Sequence, residues 1–153
     1  MLQVVDKPGP ERREWMGLLA RAPRELLESW AKGVKSPAFS WLRRPESGLA
    51  MVRARAGGSG GKFNLGEMTI TRCALRLESG ASGVAYVQGR DHRKAELAAL
   101  ADALLQTPAA AGRVKAELIS AIRTHLDARA ARMQRKAQAT RVDFFTLARE
   151  AGE

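Results

Sequence analysis

Phe63-Asn64-Leu65-Gly66-Glu67-Met68-Thr69-Ile70-Thr71-Arg72-Cys73-Ala74-Leu75-Arg76-Leu77-Glu78, then Ser79-Gly80-Ala81-Ser82-Gly83, then Val84-Ala85-Tyr86-Val87-Gln88: this stretch decides the fold class. Phe63 to Glu78 reads as one long strand. The Ser/Gly/Ala run turns the chain, and Val84 to Gln88 returns as a second strand. Strands joined by so short a turn pair antiparallel, because a parallel pair needs a crossover of a dozen residues or more. Upstream, Ala38–Arg44 and Gly48–Ala56 read as two further strands, separated by the turn-like Pro45-Glu46-Ser47-Gly48. Gly57-Gly58-Ser59-Gly60-Gly61 then links them to the long strand.

Outward from this meander the texture becomes helical. Glu11–Ala20 places Trp15, Leu18 and Leu19 at helical spacing. Pro23–Lys32 follows, with proline suited to its first turn and Gly33 to its end. On the other side, Asp91 suits an N-cap for a helix with Leu97, Leu100, Ala101, Leu104 and Leu105 on one stripe. Thr107-Pro108 opens a longer helix carrying Val114, Leu118, Ile122 and Leu126, with an Arg/Ala-rich other side through Ala139. The expected architecture is α+β: an antiparallel β-meander flanked by N-terminal helices and a long C-terminal helical region. Residues 1–10, ending in Lys7-Pro8-Gly9-Pro10, read as a loose tail. Residues 11–153 read as one domain whose segment at about 140–150 is an interaction segment.

Composition narrows the function classes. The chain has 153 residues, 45% of them hydrophobic, which is enough for one core and too many for a disordered chain. Lys and Arg number 26 against 16 acids, a formal charge of +10, so the surface favours anions: nucleic acid, phosphorylated small molecules or acidic partners. The single cysteine, Cys73, rules out an intrachain disulfide, a zinc ribbon or an iron–sulfur cluster held by this chain alone. Cys73 reads as a buried structural thiol. His92 and His125 are not in metal-ligand spacing and read as surface or helix-face residues. No metal site, no bound cofactor, no membrane span and no self-sufficient catalytic constellation are expected, and the cytoplasm is the expected compartment.

Four stretches could carry chemistry. In the first, Arg53 and Arg55 share a strand face and lead into the glycine run. There Gly57, Gly58 and Gly60 could turn backbone amides toward an anion, or simply form a hairpin loop. No Gly-Lys-Ser/Thr follows, so this is not a nucleotide P-loop. In the second, Glu67, Thr69 and Thr71 share one face, as a polar groove or the wet side of a sheet. Arg72 shares the other with Met68, Ile70 and Ala74, where it must reach an edge or meet an anion. In the third, Gln88 and Arg90 flank a strand-to-helix junction, where free amides attract anions but Asp91 repels them. In the fourth, Arg141, Asp143, Phe144 and Phe145 form a short terminal piece with two adjacent aromatics, suited to docking on a partner or to the domain's own core.

Several stretches, in order, resemble the PhnG family of the carbon–phosphorus lyase pathway. They are Trp15-Met16; Gly48-Leu49-Ala50-Met51-Val52-Arg53-Ala54-Arg55-Ala56-Gly57-Gly58-Ser59-Gly60; Phe63 with Gly66-Glu67-Met68-Thr69-Ile70-Thr71-Arg72; Tyr86-Val87-Gln88-Gly89-Arg90-Asp91; Ala95-Glu96 with Ala98-Ala99-Leu100; Asp102-Ala103-Leu104; and Arg141-Val142-Asp143-Phe144-Phe145. The resemblance spans most of Trp15–Leu147. It implies a subunit that assembles with PhnH, PhnI and PhnJ into a core complex, with PhnL and PhnK associated. It also implies a role in the step in which methylphosphonate displaces adenine from ATP, giving α-D-ribose 1-methylphosphonate 5-triphosphate. Nucleosidase chemistry is implied for PhnI and carbon–phosphorus cleavage for PhnJ with its iron–sulfur cluster. No catalytic residue is implied for this subunit. ATP and methylphosphonate would be substrates of the complex. The charge alone would also suit a nucleic-acid-binding protein, but stacking aromatics and a helix-turn-helix signature are missing from the sequence. A pure scaffold without ligand contact is the other alternative.

Overall fold

The computed structural model describes residues 9–35 and 37–142. Helices α1 (Pro10–Arg21) and α2 (Arg24–Gly33) precede a sheet of β1 (Phe39–Arg55), β2 (Lys62–Leu77) and β3 (Ser82–Gln88). Helix α3 (His92–Leu105) follows. A helical rod then runs through α4 (Pro108–Val114), a π turn (Lys115–Ile119) and α5 (Ser120–Ala139). The strands lie in the order β1-β2-β3, antiparallel throughout, so the expected meander forms. Among the described residues no helix is long and apolar enough to cross a membrane.

Helix α3 is the centre of the packing. Leu97, Leu100, Ala101, Leu104 and Leu105 are buried as the stripe requires, but so are Ala95, Ala98, Ala99 and Ala103 on the remaining faces. A helix apolar all round is buried all round, and alanine lets neighbours approach closely. The sheet covers one side of α3, and α1, α2 and the rod cover the others. Leu27, Leu75, Leu97, Leu118 and Ile122 are fully buried in this core, each stabilising by about 1.5–3 kcal/mol. Asp91 caps α3 as expected, its Oδ1 accepting from the Lys94 N–H at 2.9 Å.

Two contacts fix the sheet on α3. Gly83 in β3 sits so close that a Cβ there would lie 1.9 Å from the Ala99 carbonyl oxygen and 2.8 Å from the Ala103 nitrogen. Beside it, the buried carboxylate of Asp102 accepts four hydrogen bonds. These come from Trp15 Nε1 (2.8 Å) and Arg12 Nε (3.2 Å) at Oδ1, and from Arg12 Nη2 (2.9 Å) and the Val84 N–H (3.0 Å) at Oδ2. One side chain thus joins α3 to α1 and to β3.

Two expectations need correction. Pro45-Glu46-Ser47-Gly48 does not separate two strands: Phe39–Arg55 is a single strand whose register shifts between Trp41/Arg43 and Arg43/Glu46. Proline is tolerated there because β1 is an edge strand and the irregularity removes the need for its missing N–H. The face bearing Thr71 is not a wet face at that point. Thr71, Cys73, Leu75 and Leu77 are buried toward the helices, and Arg72 faces outward. Thr107 takes the N-cap position of α4 with Pro108 in the first turn, and its hydroxyl donates back to the Ala103 carbonyl at 3.1 Å rather than bonding to the new helix.

Asp102→Ala leaves a guanidinium, an indole N–H and a strand N–H without their acceptor. Its expected cost is about 3–5 kcal/mol in urea unfolding, and a loss under 1 kcal/mol would contradict the role assigned to it. Gly83→Ala should also destabilise strongly, because α3 must move, whereas Gly48→Ala, with open space around its Cβ position, should change stability by less than about 0.5 kcal/mol. Burial pushes the Cys73 thiol up to about 12. The native protein should therefore resist alkylation at pH 8 and react only once unfolded. Because the folded thiol holds its proton longer than the unfolded one, that contribution to stability is complete below the ordinary thiol pKa of about 8.5 and declines as pH rises from there toward 12.

Candidate functional site

The glycine run makes the tip of a hairpin. Gly57 and Gly58 take φ values of 57° and 81°, a left-handed conformation in which glycine carries no steric penalty. The Gly60 N–H donates to the Ala56 carbonyl at 2.8 Å, and Arg55 Nη1 donates to the Gly60 carbonyl at 3.2 Å. At least one amide and one guanidinium of the stretch are therefore engaged within the loop itself.

Strand β3 pairs with β2 only over Ile70–Arg76. Beyond it, Leu49–Arg55 and Lys62–Thr69 continue as a two-stranded arm. Leu49 and Leu65 are each 64% exposed, Met51 52% and Phe63 45%. Opposed residues share a face, so Leu49 and Met51 lie on the side that carries Thr71. Phe63, opposite Ala54, lies on the other, and the register shift at Val52/Arg53 leaves Leu65 as the extra residue. An isolated two-stranded ribbon is marginal in water, and this one is apolar on both faces.

The four arginines singled out from the sequence fall in three places. Arg53 and Arg55 are at the arm tip. Arg53 pairs opposite Asn64, eight residues along β2 from Arg72, which is roughly 26 Å of strand. Arg72 is on the outer sheet face. Its Nε donates to Glu46 Oε1 at 2.8 Å, and Arg43 Nη1 meets the same oxygen at 2.5 Å. These hydrogen bonds, Arg43 first and Arg72 second, hold the Glu46 carboxyl below its usual range. The anion that the arginine requires is thus supplied within the chain. Gln88 and Arg90, both exposed, flank Gly89 (φ 86°) where β3 hands over to α3. Arg141, whose N–H donates to the Gln138 carbonyl at 3.2 Å, follows α5; Asp143, Phe144 and Phe145 lie outside the described residues.

Two groupings were not visible in the sequence. In the first, Thr71 Oγ1 donates to the Gly89 carbonyl at 2.6 Å, Ser47 Oγ lies 2.9 Å from Thr71 Oγ1, and His92 Nε2 lies 3.1 Å from Ser47 Oγ. The carbonyl can only accept, so Thr71 uses its one proton there. Ser47 must then donate to Thr71 and accept from His92 Nε2–H. The direction of this chain leaves Ser47 unactivated as a nucleophile and makes His92 a donor that ties β1 to the start of α3. The second is a cleft of about 690 Å³ between the end of α1, the end of β3, the first turn of α3 and the outer half of α5. Its charged and amide lining is Arg21, Gln88, Lys94 and Arg129. Among the described residues no group of three His, Cys, Asp or Glu could hold a metal ion.

Comparison with known proteins agrees with the resemblance. The family model described as phosphonate metabolism protein PhnG matches residues 10–150. A protein of Rhizobium meliloti (strain 1021), named alpha-D-ribose 1-methylphosphonate 5-triphosphate synthase subunit PhnG, is 44% identical over 140 residues, covering 91% of this chain and 89% of that protein. Family match and relative cover nearly the whole described fold, from α1 through the meander and α3 to α5: the chain belongs to the PhnG family of phosphonate metabolism proteins.

Proposed function

We propose that this chain works as a subunit of an α-D-ribose 1-methylphosphonate 5-triphosphate synthase. In that reaction the ribose triphosphate of ATP passes to methylphosphonate and adenine is released. The observation that carries the subunit reading is the arm: a two-stranded ribbon with Leu49, Met51, Phe63 and Leu65 facing water and, among the described residues, no third strand to cover it. Contiguous exposed apolar surface of this kind marks a protein interface. In this reading the chain docks against PhnI, PhnH or PhnJ, with PhnL and PhnK joining the assembly, in the cytoplasm, and it holds no cofactor of its own. Arg141, Asp143, Phe144 and Phe145 are proposed as a second docking element. Arg53, Arg55 and Arg90, with Gln88 and the amides near Gly57, Gly58 and Gly60, are proposed to face the anionic substrates or acidic neighbours. Arg72, already paired with Glu46, is better suited to holding the outer sheet face, which favours a scaffold role for that residue.

The experiment is reconstitution. Purified alone, the chain should release no adenine from ATP and methylphosphonate; added to the other subunits, it should be required for release. Met51→Ser with Phe63→Ser should leave the chain's own unfolding midpoint unchanged and weaken co-purification with the partner subunits. Burial of such side chains contributes about 1.5–3 kcal/mol each, so the expected loss for the pair is about 150-fold or more in affinity. Turnover by the chain alone would overturn the subunit reading, and full assembly of the double variant would overturn the role of the arm.

A further inference from the structure

The chain's excess cations are not spread evenly among acids. In the body, Arg12 meets Asp102, Arg24 meets Glu28, Arg93 meets Glu96, Arg113 meets Glu117, Lys115 meets Glu11 and Arg123 meets Glu14. The cleft between α1, β3, α3 and α5 collects three of the described cations that make no ion pair, a set that elsewhere includes Arg13, Arg44 and Arg90. Arg21, Lys94 and Arg129 line it, no acidic side chain does, and among the described residues none of the three makes an ion pair. They come from three helices, so the cleft gathers positive charge that no single segment carries.

We propose that this cleft is a binding site for a polyanion bearing a phosphate or phosphonate group, with Lys94, Arg21 and Arg129 as its charged contacts. Gln88 supplies an amide at the end of β3, and Leu126 and Met133 give an apolar wall for the organic part of such a molecule. The volume of about 690 Å³ falls in the range of small-molecule sites. Arginine guanidinium forks suit phosphate oxygens two at a time, and a lysine supplies a point charge between them. Lys94 is the informative member. It is half-buried, and that burial lowers the pKa of its ammonium. The nearest acids are Asp91 and Glu25, which pull the other way. Asp91 makes no ion pair with that ammonium: its Oδ1 accepts from the Lys94 backbone N–H at 2.9 Å and from Arg24 at 3.5 Å. A bound anion would supply the partner that the Lys94 ammonium lacks. The outer half of α5 fits the same account, since its residues 127–139 are exposed and its Arg129 and Met133 form the far wall of the cleft.

This site is independent of the assembly reading, and the full chain alone tests it. Tripolyphosphate is titrated by calorimetry at physiological salt into the wild-type chain and into Lys94→Ala, Arg129→Ala, Arg129→Lys and Arg44→Ala. The expected result is saturable binding to one site. Lys94→Ala and Arg129→Ala should each weaken it about tenfold or more, Arg129→Lys less so, and Arg44→Ala, at an exposed position of the edge strand β1, not at all. Lys94, Arg129 and Arg44 are outside the buried core, so each variant should keep the wild-type thermal midpoint. Absence of saturable binding at millimolar tripolyphosphate would overturn the proposal. Equal weakening by the cleft variants and by Arg44→Ala would also overturn it, because it would mean diffuse attraction by net charge. Binding of the partner subunits at this cleft, lost in Lys94→Ala while tripolyphosphate binding persists, would reassign it as an acidic-protein interface.

Discussion

The carboxylate of Asp102 is the constraint on which the rest of the structure depends. Fully buried, it must be neutralised and hydrogen-bonded, and among the described residues its donors come from α1 and β3. A buried charge stripped of one donor costs several kcal/mol, so α1 and β3 cannot drift from α3 independently. Gly83 makes the same junction sterically close, by bringing β3 onto the α3 backbone where any side chain would collide. Hydrophobic burial around α3 supplies most of the stabilisation, but it is non-directional. The carboxylate and the glycine select one register of sheet on helix.

That register determines what the sheet can present. With α3 and its neighbours stacked against one end of the meander, the other end of β1 and β2 extends past the helices as an arm. Among the described residues no layer covers a sheet face there, and the apolar residues on both faces of the ribbon are exposed. The same placement of α3 brings its first turn beside the end of β3 and under the outer half of α5, which creates the cationic cleft. Core, arm and cleft are therefore consequences of a single packing arrangement. The separation between the arm tip and the cleft gives the chain two surfaces of different chemistry, one apolar with a cationic end, one cationic with an apolar wall.

How much of this was legible depended on whether the signal was local. The strand–turn–strand of Phe63–Gln88, the Asp91 cap and the burial of Leu97 and Leu104 follow from neighbouring residues and were readable. Pro45 misled because its turn chemistry is local while strand continuity is decided by pairing with β2, a long-range contact. Thr71 alternates correctly with Cys73, but alternation says only that two faces differ; which one is inside depends on where α3 packs. Asp102 looked like part of a helix because its partners Arg12 and Trp15 lie about ninety residues away in sequence. Arg21, Lys94 and Arg129 had no common spacing to betray them. Arg53 and Arg55 were visible for the opposite reason: two like charges beside a glycine run form a conspicuous local pattern, and the fold places them roughly 26 Å from Arg72 along the strand rather than around a shared ligand.

The central claim is that a self-contained core built on Asp102 carries an arm that is completed by another subunit. Amide hydrogen exchange, measured on the chain alone and on the chain within the reconstituted assembly, tests it most directly. The account predicts slow exchange in α3 in both states. It predicts fast exchange in Leu49–Arg55 and Lys62–Met68 of the free chain, slowed by at least tenfold on assembly. An arm that exchanges equally in both states, or that is already as protected as α3 in the free chain, would contradict it.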